Sequence, residues 1–248
     1  MELLSIIIPA LLAGFLIATT HGLLGVRVLK KGIIFMDLAI AQIAGLGLIV
    51  AVKFFPEIGF LQQLIAAFFA LIAAFGFYYC EKFQQNIQEA IIGCSYILTA
   101  TLSLLFLVDN PHAGDEMTYL LSGQILFITI EDVLLHAPIY FLTIYLWFKK
   151  PAIQNNIFFY LIFAFVITSS VQLVGVYVVF ASLILPAILS FFTKHSVKSV
   201  WLSGYISVLL GLLSALIFDL PAGILIVISY FIVCIGFVAI KAILKNQN

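Results

Sequence analysis

The stretch GIIFMDLAIAQIAGLG, Gly32 to Gly47, decides how this chain is read. It is apolar enough to sit in lipid, yet it carries Asp37 and, five positions on, Gln42. The rest of the chain is of the same kind. Of 248 residues, 65% are hydrophobic and 9% charged, and the mean hydropathy is +1.26. A soluble domain carries about 25% charged residues, so the composition predicts an all-α, polytopic integral membrane protein in one domain, 1–248. An ionised group at mid-bilayer costs about 2.5–3.5 kcal/mol. Asp37 and Gln42 are therefore expected to face a cavity or a neighbouring helix, not lipid.

A span needs about 20 apolar residues. Spans one to four are predicted at Leu3–Val26, Ile33–Val52, Phe60–Cys80 and Ala90–Val108. The N-terminus has no basic stretch and starts Met-Glu, so its first span reads as retained and not as a cleaved signal. Tyr119–Phe148 is broken by Gly123, Gln124, Glu131 and Asp132. It divides into a short outer segment and a fifth span, Ile130–Phe148, with Thr129 as its cap and two acids where a helix N-terminus favours negative charge. As one straight helix, Ile157–Phe192 would be about 54 Å long against a hydrocarbon core of about 30 Å. Ser169, Ser170, Gln172 and Gly175 mark a tight turn between spans six and seven. Span eight is Ser199–Phe218, and the ninth follows Asp219-Leu220-Pro221, where Asp caps and Pro opens a helix.

Nine spans divide the 11 Lys and Arg residues unevenly. Arg27, Lys30, Lys31, Lys82, Lys149, Lys150, Lys194, Lys198, Lys241 and Lys245 fall on one side, Lys53 alone on the other. Positive residues stay inside, so the N-terminus is expected outside and the C-terminus in the cytoplasm. Fusing spans six and seven would scatter the charges almost evenly. The loop with Asp109, His112, Asp115 and Glu116 then faces outward, as a solvated turn or an acidic docking rim.

Most site chemistries are missing from the sequence. No G-x-x-x-x-G-K is present to cradle nucleotide phosphates, and no H-E-x-x-H to hold zinc. His21, His112, His136 and His195 are scattered, and Cys80, Cys94 and Cys234 lack ligand or redox spacing. A formal net charge of zero implies no nucleic-acid partner. The expectation is a protein that is not an enzyme and has no cofactor of its own. Polar residues inside spans are what remain: Asp37 and Gln42 as pathway or gate residues, and His21, which either lines a pathway or is pinned by a hydrogen bond. Gly14, Ala18, Gly22 and Gly25 form a small-residue stripe on span one, suited to close helix packing.

The order of five stretches resembles the permease subunits of ATP-binding-cassette importers for zinc, manganese and iron. They are LLGVRVLKKGIIFMDLAIAQIAGLG, EAIIGCSYILTATLSLLF, YLLSGQILFITIEDV, VGVYVVFASLILPAIL and DLPAGILIVISYF. The resemblance implies a type II importer-like permease in the bacterial inner membrane, working as a homodimer among lipids. Its partners would be a separate ATPase and an extracytoplasmic metal-binding protein, and its cargo zinc first, with manganese or iron as alternatives. A carrier of metal or small solutes that works without an ATPase, derived from the same fold, is the second reading; a non-transporting membrane scaffold is the third.

Two places depart from the family. Its Asp and His stand four residues apart on span two, but here position 41 is Ala, and Gln42 comes one later. Five residues turn a helix by about 500°, so Asp37 and Gln42 point about 140° apart and a straight helix cannot aim both at one ion. Asp37 alone is carried over as a metal ligand. An amide in place of the imidazole would make a harder site, less suited to zinc. The loop after span five is only KKPAIQNN, Lys149–Asn156, too short for the family's coupling helix. Candidate ATPase contacts are Lys149, Lys150 and Pro151, or Lys194 and His195, with Arg27–Gly32 as a further choice.

Overall fold

A computed structural model of the chain describes residues 2–55, 59–108, 114, 118, 121–193 and 196–246, with the side chains of 2–4, 59 and 241–246 left out. Each expected span has its helix: α1 Glu2–Lys31, α2 Met36–Phe54, α3 Gly59–Gln84, α4 Gln88–Phe106, α5 Ile130–Lys149, α6 Ile157–Val174, α7 Val176–Phe192, α8 Val197–Phe218 and α9 Ala222–Asn246. Short 3₁₀ turns occupy Gln85–Ile87, Ile125–Phe127 and Pro151–Asn155. By length and composition, six described stretches could cross a membrane; one of them, Phe60–Phe106, contains both α3 and α4, and α7 is an apolar but shorter helix. Outward-facing residues are Phe, Leu and Ile, Phe60, Leu135 and Phe141 among them. That surface suits lipid and would not dissolve in water.

Local chemistry explains where helices start and stop. The Thr129 hydroxyl accepts from the Asp132 N–H at 3.2 Å, and the Asp132 carboxylate accepts from the Thr129 N–H at 2.8 Å, a reciprocal cap for α5. The break inside Ile157–Phe192 falls at Gly175, whose φ of 79° suits a residue without a Cβ. One expectation needs correction. Asp219 does not cap α9; it sits in the left-handed region at φ 53° and closes α8, its N–H donating to the Ala215 carbonyl. A left-handed residue commonly ends a helix, with proline one or two positions beyond, and Asp tolerates that conformation better than bulkier residues. The Pro221 carbonyl then opens α9 by accepting from the Leu225 N–H.

The chain forms two compact units. Met1–Lys31, Leu121–Tyr140 and Leu173–Asn248 make the first. In it α1 packs on α7 and α8, and α9 packs on the same two helices. The small residues of α1 allow that approach. Gly14 lies against Val208, Ala18 against Gly204 and Gly22 against Val200, and a Cβ on Gly25 would run into the Leu183 carbonyl. The Thr19 hydroxyl meets the Tyr205 hydroxyl at 2.7 Å, and the Trp201 indole donates to the Thr19 carbonyl at 3.0 Å. Ser122–Gly123 is pressed on Val174–Gly175, and Gly223 on the Ser122 carbonyl. Three turns that the nine-span count assigns to one side of the membrane therefore meet.

Gly32–Leu120 and Phe141–Gln172 make the second unit. Here α2 packs on α3 and α4. Gln88, at the start of α4, donates to the Phe77 carbonyl and to the Tyr160 hydroxyl, each at 3.0 Å, and Tyr160 donates to Glu81 at 3.0 Å. That chain of bonds ties α3, α4 and α6 together at one end.

Gly25→Ala is expected to destabilise the protein by about 1–3 kcal/mol, because the carbonyl it would strike belongs to rigid backbone. Gly93→Ala, on a helix position with nothing within 4 Å, is expected to be neutral or stabilising by up to about 1 kcal/mol. Thermal unfolding of the two variants in detergent, followed by loss of monodisperse protein, checks the contrast.

Candidate functional site

The second unit holds the polar residues that opened the sequence. Asp37 lies in the first turn of α2 and is 0% exposed. Neither of its carboxyl oxygens has a hydrogen-bond partner; the backbone N–H groups of Asp37 and Leu38, in the open turn beside them, are the nearest donors. An acid there faces the positive end of the helix, which favours its charge. Lipid does not reach it, so the energetic expectation for this residue holds.

Gln42 is buried as well, and its amide donates to the Ser103 hydroxyl of α4 across a long 3.5 Å. Ser103 in turn donates to the Thr99 carbonyl. The amide is thus engaged along α4, a turn and a half away from Asp37. Ala41, four residues after Asp37, is fully buried.

Glu89 was not singled out by the sequence reading, and the structure brings it in. It stands in the first turn of α4, as Asp37 does in α2. The Phe35 N–H, at the start of α2, donates to Glu89 Oε1 at 3.1 Å, which fixes the glutamate beside the end of α2. Its other oxygen, Oε2, is buried without a partner. The two carboxyl groups are within Coulombic range of each other. A signal was available in the sequence: two apolar helices on the same side of the positive-inside count both begin with an acid.

The remaining candidates lie elsewhere. His21 belongs to the first unit, fully buried, its Nδ1 2.7 Å from the Ser182 hydroxyl. That bond pins α1 to α7. Lys149, Lys150 and Pro151 are exposed at a 3₁₀ turn, Pro151–Asn155. Lys194, His195 and the acidic loop residues Asp109, His112, Asp115 and Glu116 lie outside the described residues. Among the described residues no group of three or more His, Cys, Asp or Glu could hold a metal ion, and the three cysteines are free thiols.

Known proteins resemble the chain from end to end. The ABC 3 transport family matches residues 4–153 and 151–241, two stretches that meet in the short loop after α5. A "probable metal transport system membrane protein" of Thermotoga maritima is 29% identical over 249 aligned residues, covering 90% of this chain and 86% of that protein. Among solved structures, PsaBC from Streptococcus pneumoniae in complex with Fab superposes with a TM-score of 0.75, over 98% of this chain and 95% of that one. Identity there is 20%, so this likeness speaks for the fold. With nearly its whole length matched, the chain belongs to the ABC 3 transport family, as a multi-pass permease of the cell membrane.

Proposed function

We propose that the chain is the transmembrane permease subunit of an ATP-driven importer for divalent metal ions, paired with a second copy, a separate ATPase and an outer binding protein that delivers the ion. Zinc, manganese and iron are the candidate cargoes. One observation carries the reading: inside a member of a transport family, a membrane helix buries a carboxyl group and gives it no partner. Such a group costs stability, and within a membrane protein it marks an ion pathway by default. Asp37 serves as the ion's contact near the inner end, under the expected topology, while Gln42 and Ser103 steady the α2–α4 seam next to it. The relative's printed name, a metal transport system membrane protein, supports the choice of cargo.

The second reading, a carrier without an ATPase, draws on the short loop Lys149–Asn156, which offers one 3₁₀ turn where the resembled family has a coupling helix.

Replacing Asp37 with Asn keeps its shape and removes its charge. Metal accumulation in cells dependent on this transporter should fall at least about tenfold, with the protein still present in the membrane at its normal level. Unchanged accumulation would remove Asp37 from the pathway.

Purification of the chain from its native membrane should bring down an ATPase subunit whose hydrolysis rate shifts when the chain is present. Metal uptake by reconstituted chain with no ATP would favour the second reading.

Single cysteines placed at Ser5 and at Lys198, in a background lacking Cys80, Cys94 and Cys234, report orientation. An impermeant maleimide should label the first from outside intact cells and the second only after lysis. The reverse pattern would turn the topology over.

A further inference from the structure

We propose that Glu89 is the second carboxylate of a cation site with Asp37, and that this pair of oxygen donors selects a hard divalent cation of the manganese type over zinc. The proposal rests on the reading of the chain as a metal permease and names its cargo class. Geometry supplies the pairing. The Phe35 N–H holds Glu89 Oε1 at the start of α2, two residues from Asp37. That contact leaves Glu89 Oε2 buried and unbonded, and both oxygens of the fully buried Asp37 are unbonded too. Three carboxyl oxygens at the neighbouring starts of α2 and α4 are therefore buried without a hydrogen-bond partner, the backbone N–H groups of Asp37 and Leu38 being the nearest donors. Two carboxylates within Coulombic range repel, and a cation between them converts that repulsion into attraction.

Donor type decides the ion. Zinc sites are four-coordinate and draw chiefly on thiolate and imidazole, with carboxylate as a further donor. Helix α2 contains no His or Cys, and Ala41 stands where an imidazole would have joined Asp37. Carboxylates completed by water suit harder, six-coordinate ions, manganese among them. A site with only two protein carboxylates also binds loosely, as a cargo site has to, since the ion must leave on each cycle. Glu89 is partly exposed where Asp37 is fully buried, so it offers the ion a step between the buried carboxylate and the surface.

The test compares uptake of manganese and zinc in cells carrying the complete transporter with wild-type chain, Glu89→Gln or Glu89→Asp. Glutamine retains an oxygen that can accept from the Phe35 N–H, so the fold contact survives while the charge goes. The purified wild-type and Glu89→Gln chains are titrated with manganese alone and followed by the loss of the free-ion paramagnetic signal, on protein that elutes as the wild type does. Wild type should accumulate manganese in preference to zinc. Glu89→Gln should lower manganese uptake and manganese affinity at least about tenfold, and Glu89→Asp should restore part of both. Manganese uptake and affinity unchanged in Glu89→Gln, or a wild type that prefers zinc, would overturn the proposal while leaving the permease reading in place. A wild type that accumulates no metal at all would overturn both.

Discussion

Hydrocarbon offers no hydrogen bonds, and this chain answers that constraint almost everywhere from within its own helices. The hydroxyls of Thr20, Ser95, Thr99, Ser103, Ser170, Ser182, Ser190, Ser203 and Ser207 donate to carbonyls three or four residues back. The amide of Gln88 finds a carbonyl and a phenol, and His21 finds Ser182. Against that background, the buried polar side-chain atoms without a partner among the described residues are few: both oxygens of Asp37, one of Glu89, and the hydroxyls of Thr168 and Tyr230. A neutral hydroxyl in that state costs about 1–3 kcal/mol, and a charged carboxylate more. The heaviest cost is concentrated at the starts of α2 and α4, where, on the proposed reading, a transported cation would offset it.

The same solvent removes the hydrophobic drive between helices, so packing has to come from close approach. In the first unit that approach is supplied by missing side chains. Gly14, Ala18, Gly22 and Gly25 let α1 settle on α7 and α8, and Gly211 does the same between α8 and α9, where a Cβ would come within 2.5 Å of Ile226. The glycines with positive φ have a different duty. Gly32, Gly123 and Gly175 each stand within a few residues of a point where the chain passes from one compact unit to the other. Their φ angles of 70°, 65° and 79° lie in a region that side chains disfavour and glycine adopts freely.

Much of the fold was legible because hydrophobic length and charge placement are one-dimensional signals. Gly175 and the polar run before it gave the break between α6 and α7, and Thr129 gave the start of α5. Asp219 misled because a short acid before a proline reads equally as the end of one helix or the cap of the next; only the backbone angle separates the two. At the candidate site the sequence yielded half. Asp37 stands out as a charge inside an apolar run, and the angle of about 140° between it and Gln42 keeps the two from one ion, although the sequence offers both as pathway or gate residues. Glu89 stayed hidden for a physical reason. An acid in the first turn of a helix is favoured by the helix itself, so the acids that open α2 and α4 on the same side are only a weak sign of a second use. What marks it is a neighbour 54 residues away in sequence, the Phe35 N–H, and an oxygen left over after that bond is made.

The shortened loop after α5 bears on how ATP hydrolysis would reach such a site. A longer coupling helix transmits force by presenting a rigid body to the ATPase; what matters is stiffness and attachment more than length. Here the connection is bonded at nearly every step. The Lys150 N–H donates to Leu146, Ile153 to Lys150, and the Gln154 amide to the Trp147 carbonyl, while Asn156 caps α6 by accepting from the Phe158 N–H at 3.0 Å. Pro151 fixes one backbone angle at its start. The end of α5 and the start of α6 are thereby joined with little slack, and Tyr160, one turn into α6, is bonded to Glu81 of α3 and Gln88 of α4. Glu89 is the next residue. On the proposed reading, a push on Lys149–Asn156 would travel through Tyr160 and Gln88 to the first turn of α4, and so to a carboxylate beside the ion, without any coupling helix being needed.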